Sequence, residues 1–225
     1  CKADKTRLAY LGVPPANGLS RASQGNKLCL VSCSTLAKVK RIPKLVESLA
    51  ALAEKRSDLI IDWHHVGGSG EALEALKQYA FLRLGNISYV TFTLHGQLPL
   101  AKSREIYQTM PVDIHVSTSS YEGVPVSMME AGMAGVPVLG TNAGGVSELV
   151  TDKTGFLLEI DFSPSDFISG VEKLMRWRNE EKRKQISQVF QSKFNAETNY
   201  QSFIDNAILP NLSKSAELLA CCGHK

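Results

Sequence analysis

Short apolar runs that alternate with stretches of helical spacing constrain this chain more than any other feature. KLCLVSC (27–33), LIIDWHHV (59–66), ISYVTFTLHG (87–96), VDIHVSTSS (112–120), VPVLGT (136–141) and FLLEI (156–160) read as strands. IPKLVESLAALAEKR (42–56) carries apolar residues three and four apart, EALEALKQYAFLRL follows the turn GGSGE, and a short helix is predicted near 102–109. Strands separated by helices of this length predict an α/β fold, a Rossmann-like parallel sheet with helices on both faces. Ligands of such sheets sit at the carboxyl ends of the strands.

The ends of the chain read differently. Residues 1–26 hold Gly12, Pro14, Pro15, Asn17 and Gly18 and are predicted to be a linker, with one short strand at RLAYLGV. Residues 27–163 form the Rossmann-like domain. From Pro164 the pattern is purely helical, so 164–225 should add PSDFISGVEKLMRW, EEKRKQISQVFQSKF and AETNYQSFIDNAI as helices of the same domain, followed by a tail.

Composition narrows the class. With 225 residues and 44% hydrophobic content the chain can bury one core and some extra helices. A net charge of +3 is too small and too dispersed to argue for nucleic acid. KLMRWRNEEKRK (173–184) is a local basic run, read as a solvated helix face, with contact to anionic lipid headgroups as the alternative. Cys1, Cys29, Cys33, Cys221 and Cys222 are odd in number and show neither a disulfide framework nor a zinc spacing. A reducing cytosol fits them best. No stretch of 18 apolar residues and no secretory leader is present, and the start at Cys1 rather than Met suggests that an N-terminal portion lies outside the sequence.

The chemistry concentrates in residues 117–137, STSSYEGVPVSMMEAGMAGVP, where seven residues separate Glu122 from Glu130 across a predicted helix start. Gly123 and Pro125 suit a tight turn into the first helical turn, where Pro loses no needed N–H. The helix is expected to run to about Gly135. Its N-terminus presents free N–H groups and the positive end of the helix dipole, a seat for phosphate.

This Glu–seven–Glu pattern, opened by Glu-Gly-x-Pro, closed by Glu-Ala and followed by GVPVLGTNAGGVSELV, resembles the C-terminal half of a family-four retaining glycosyltransferase, the glycosyltransferase group 1 of GT-B fold. The resemblance covers about 27–205. It implies transfer of a sugar from a nucleotide-sugar with its anomeric configuration kept, and without a metal bound by the protein. No cofactor is implied beyond the nucleoside-diphosphate sugar, which is substrate. It also implies that the acceptor, a glycan or a lipid-linked group, is handled largely by an N-terminal domain, and that the last helix returns to that domain. A place in the cytoplasm, or peripheral at the inner face of the cell membrane, goes with polysaccharide synthesis of this type.

Residue roles follow from the same resemblance. Glu130 is expected to accept hydrogen bonds from the ribose, and Glu122 to hold sugar hydroxyls and stabilise charge growing at the anomeric carbon. Lys40 and the N–H groups of Gly123, Val124 and Val126 are expected to stabilise the diphosphate, while Pro125 has no N–H to give. Relatives commonly carry Arg where Thr35 stands, so the bidentate grip is absent here and Arg41 is the candidate to compensate. Gly67 and Gly68 are candidates for close backbone approach to the nucleotide, and Gln97 and Leu98 for contact with the base. Gly144 and Gly145 are read as N–H groups that cap a ligand or start a helix. His64, His65, His95 and His115 show no metal spacing and read as structural. Two alternatives stay open, a module that binds nucleotide-sugar without transfer and a nucleotide-sugar epimerase of the same fold. An isolated donor half is expected to be inactive in transfer.

Overall fold

The computed structural model describes residues 8–211. The strands are β1 (Lys27–Cys33), β2 (Ile60–Val66), β3 (Val90–Gly96), β4 (Ile114–Ser117), β5 (Val138–Thr141) and β6 (Gly155–Leu158). Between them lie α1 (Ile42–Lys55), α2 (Gly70–Leu84), α3 (Leu100–Thr109), α4 (Val126–Met133) and the single turn α5 (Val146–Leu149). The chain then continues through α6 (Pro164–Met175), α7 (Glu180–Phe194) and α8 (Ala196–Phe203), the last running into a π-turn at Ile204–Ile208. All strands pair in parallel in the order β3-β2-β1-β4-β5-β6. The chain winds outward from β1 to β3 and then crosses back to β4. A crevice therefore opens above the carboxyl ends of β1 and β4, where the winding reverses.

Each helix is placed by its apolar stripe. In α1, Leu45, Val46, Leu49, Leu52 and Ala53 are buried against Leu28, Leu30, Ile61 and Trp63 of the sheet, joined by Phe167 and Val171 of α6. On the opposite face Val31 and Val66 pack with Ile106 and Tyr107 of α3 and with Ala131 of α4. Helix α4 lies close to α7, and Gly132 is the reason: a Cβ there would stand 2.3 Å from the Phe190 ring. A Ser163 capping box starts α6, and the Asn179 side chain caps α7.

Several expected boundaries move. Helix α4 stops at Met133, because Ala134 and Gly135 turn back on Glu130 and Gly132 and Gly135 takes a φ of 74°. The strand expected at 112–120 ends at Ser117, since Thr118 and Ser120 spend their donors on the loop after β1 instead. RLAYLGV forms no strand among its described residues: Val13 makes one bridge to Asn195 at the end of α7, which offers no edge to extend along.

The basic run 173–184 is not a uniformly solvated face. Arg183 is buried and donates to the carbonyls of Ser20 (3.0 Å) and Val112 (2.7 Å). Arg178 donates to the Lys27 carbonyl and reaches Asp113. These two arginines tie residues 20–27 to the sheet, which requires them to leave solvent. Lys182 lies 3.9 Å above the Trp177 ring. Cys1, Cys221 and Cys222 lie outside the described residues. Among the described residues no helix is long and apolar enough to cross a membrane.

Candidate functional site

Two loops from opposite sides of the crevice are latched together. After β1 the chain makes a tight 3-10 turn at Lys38–Lys40, then Arg41 adopts a left-handed φ of 50° before Pro43 helps open α1. That conformation costs a non-glycine residue about 1–2 kcal/mol and persists only where its surroundings enforce it. The loop after β4 supplies that enforcement. Thr118 Oγ1 donates to the carbonyls of Lys40 (3.2 Å) and Arg41 (3.1 Å), Arg41 Nε donates to the Thr118 carbonyl (2.6 Å), and the Ser120 N–H donates to the Val39 carbonyl (2.8 Å). Thr141 of β5 bonds the Ser119 carbonyl from below.

Across this latch Lys40 meets Glu122. The ammonium lies 2.7 Å from both carboxylate oxygens, with side chains 22% and 11% exposed. The Glu122 segment is braced from behind by the turn that follows β5. Gly145 N–H donates to the Gly123 carbonyl at 3.0 Å, and a Cβ on Gly144, whose φ is 58°, would stand 1.9 Å from the Glu122 carbonyl. Of the two roles expected of these glycines, Gly145 does stand at the start of α5 as its N-cap, but it has no N–H left to cap a ligand. Its N–H is consumed by the loop, and Gly144 is required for close packing.

Glu130 lies elsewhere, on the buried side of α4. It is 7% exposed, and Arg104 of α3 donates to it from Nε at 2.7 Å. Together they line a cavity of about 340 Å³ with Tyr107, Met133 and the segment Pro14–Asn17. Burial first and the nearby Glu130 carboxylate second push the thiol of Cys33, the last residue of β1, up to about 11. Beneath it, Tyr107 hydroxyl and His115 Nδ1 lie 2.8 Å apart, and burial lowers His115 to about 4.

The remaining candidates are placed as follows. Val126 and Ser127 open the first turn of α4 with N–H groups that have no acceptor among the described residues, and Gly123 is exposed beside them. Val124 and Pro125 are half-buried, and Val124 packs on the cluster of Met128 and Phe190. Thr35 is exposed and brings no cation to the crevice. Arg41 is turned onto Thr118 and stands 6.0 Å over the Phe162 ring, so in this state it does not compensate for the absent arginine. Gly67 and Gly68 do enable a close approach, but to their own neighbours: a Cβ would stand 2.0 Å from the Ser34 carbonyl and 2.4 Å from Leu36. Gln97 is exposed after β3, whereas Leu98 packs on the α3 cluster. Arg104 and Thr118 were not legible as site residues. A lone arginine within a helix and a threonine after a strand carry no motif.

The sheet order, the reversal above β1 and β4 and the cation–carboxylate pair in that crevice define the Rossmann-like half of a GT-B fold. Residues 20–191 match the glycosyl transferases group 1 family, and the chain belongs to that family. It is 32% identical over 117 residues to the O-antigen biosynthesis glycosyltransferase WbnH of Escherichia coli, covering 52% of this chain and 30% of that one. It is 30% identical over 156 residues to the uncharacterized glycosyltransferase MJ1069 of Methanocaldococcus jannaschii, covering 68% and 38%. The chain thus matches about a third of the length of these curated relatives. Among solved structures it is similar to the lipopolysaccharide outer core galactosyltransferase WaaB (TM-score 0.71, 18% identity, 92% of this chain and 57% of that one). It is also similar to Anabaena Alr3699/HepE in complex with UDP-glucose (TM-score 0.63, 23% identity, 80% and 48%).

Proposed function

We propose that this chain is the donor-binding half of a retaining glycosyltransferase, one that passes a hexose from a nucleoside diphosphate to a glycan or lipid-linked acceptor in cell-surface polysaccharide synthesis. The observation that carries the reading is the Lys40–Glu122 pair, set in the switch-point crevice by two latched loops. The relatives' O-antigen role and the neighbours' UDP complexes support polysaccharide synthesis and make UDP-hexoses the first donors to test. A cytoplasmic place, or one against the inner membrane face, follows from that role.

In this reading the diphosphate lies over the start of α4. The unpaired N–H groups of Val126 and Ser127 and the Lys40 ammonium oppose the charge that builds on the leaving group as the sugar bond breaks. Glu122 holds Lys40 in the free state and shares it when the diphosphate arrives. Its carboxylate then faces sugar hydroxyls and the positive charge at the anomeric carbon. Glu130 accepts from the ribose within the cavity, with Arg104 holding it oriented. An acceptor and a closed, dry crevice would come from a second domain, so this chain should bind donor and transfer nothing.

Thr35 in place of the family's arginine favours one other reading, a module that holds nucleotide-sugar without transfer. Calorimetric titration of this chain with UDP and UDP-hexoses tests donor binding, and product analysis of the full-length protein with the same donors separates transfer from mere holding. Micromolar to millimolar UDP binding without turnover is expected of the isolated chain. Absence of any nucleotide binding, or clear turnover by this chain alone, would contradict the proposal.

A further inference from the structure

A second group of chemically active side chains lies apart from the crevice, on the sheet itself. Along β1 and β2, Leu30 and Trp63 belong to the face packed under α1, while Cys29, Asp62 and His64 alternate onto the other face. Cys29 and Asp62 are direct register partners on adjacent strands, and His64 follows Asp62 by one full pleat. The Cys29 sulfur, an Asp62 oxygen and a His64 ring nitrogen all lie within 4.8 Å of one another. Cys29 is 4% exposed at the floor, and the Asp62 side chain is 42% exposed at the mouth.

Around these three stands a second layer that fixes their orientation. Thr91 Oγ1 donates to Asp62 Oδ1 at 2.8 Å, which leaves Oδ2 facing His64 Nε2 at 3.0 Å. His64 Nδ1 lies 3.0 Å from His95 Nε2, with the two rings stacked at 5.3 Å. Asp113, the other carboxylate near Cys29, is already taken by the N–H groups of Cys29 and Ser23 and by Arg178. A plain Asp62–His64 hydrogen bond would account for two of these residues. It gives no reason for a cysteine beneath them or for partners on the far atoms of both.

We propose that Cys29, Asp62 and His64 form a site for a divalent metal ion of the zinc class. Thiolate, imidazole and carboxylate are the donor set that such ions prefer, and three protein ligands leave a fourth, tetrahedral position for water at the open Asp62 side. Binding through His64 Nε2 places the ring proton on Nδ1, where it donates to His95. That is the outer-shell arrangement which fixes a ligating histidine. The Cys29 proton leaves to solvent as the metal–sulfur bond forms. Cys29 is four residues, about 13 Å, below the end of β1 at Cys33, so the ion takes no part in donor chemistry. It staples β1 to β2 and stabilises that half of the sheet by mass action.

Cobalt(II) titration of the reduced, chelator-treated protein tests the site. A single equivalent should produce tetrahedral visible absorption with a thiolate-to-cobalt charge-transfer band, and one equivalent of zinc should abolish both and raise the melting temperature. Asp62→Asn and His64→Gln should weaken cobalt binding at least tenfold with unchanged circular dichroism, and Thr91→Val or His95→Phe should do so by about tenfold while keeping the band. Cys29→Ser should remove the charge-transfer band, whereas replacing Cys1, Cys33, Cys221 and Cys222 together by Ser should preserve it. Absence of a thiolate band in the unmodified protein would overturn the proposal. So would a band that survives Asp62→Asn and His64→Gln, or one that disappears with the other four cysteines.

Discussion

Glu122 and Glu130 are eight positions apart, yet they are held by opposite means. Glu122 sits on the loop after β4, and its place depends on hydrogen bonds between that loop and the loop after β1 and on two glycines behind it. Glu130 sits on a helix, buried to 7% exposure, and is fixed by the packing of α4 against α3 and α7. The loop-held carboxylate can shift with its lysine when a diphosphate arrives. The helix-held one cannot move without moving the core, which suits a group that recognises a constant part of the ligand while the other meets the reacting part.

The contrast can be broken most severely from behind Glu122. Gly144→Val meets the Glu122 carbonyl and an unfavourable φ at once, and should cost about 3 kcal/mol of stability, read by thermal melting. A neutral result would show that the turn after β5 does not brace the crevice.

Acid should strike the scaffold rather than the loops. His65 and His115 are held near 4 by burial, well below the ordinary 6.5. Below pH 6.5 the unfolded chain therefore binds more protons than the folded one. The stability these histidines leave intact above pH 6.5 is lost progressively down to about pH 4, at up to about 1.4 kcal/mol per pH unit for each. Melting temperature measured from pH 7 to 4.5 should fall, and His115→Gln should flatten the fall. An unchanged slope would mean that His115 is accessible to protons in the fold.

At the crevice itself, Lys40→Ala should weaken UDP binding by about 1.5–3 kcal/mol and leave uridine nearly untouched. Equal losses for both ligands would mean that Lys40 acts through the fold. The smallest effect belongs to the latch. Thr118→Ala removes the donor to two carbonyls and should cost about 1 kcal/mol in melting, with a few-fold loss of UDP affinity.

The sheet was legible because its signal is long-ranged: apolar runs with β-branched residues, separated by amphipathic stretches such as 42–56, leave few arrangements. The Glu-Gly-x-Pro to Glu-Ala pattern placed the helix start for the same reason, since turn chemistry and spacing agree there. What escaped notice depends on contacts between distant residues. Arg104 finds Glu130 across 26 positions and Thr118 finds Lys40 across 78, and neither residue type marks its partner. Arg183 shows the converse error. A basic run looks solvated in sequence, and only the packing of residues 20–27 against α7 reveals that two of its arginines are tied down.

The division between the two carboxylates is tested most directly by titrating UDP and UDP-hexose into Glu130→Ala and Glu122→Gln, with circular dichroism to confirm folding. Glu130→Ala should lose about 1.5–3 kcal/mol for both ligands, because the ribose is common to them. Glu122→Gln releases Lys40 and removes a negative charge, so UDP should bind at least as well as before, while the extra affinity that the hexose adds should disappear. A Glu122→Gln variant that loses UDP as severely as Glu130→Ala, or that keeps the hexose increment intact, would contradict the assignment.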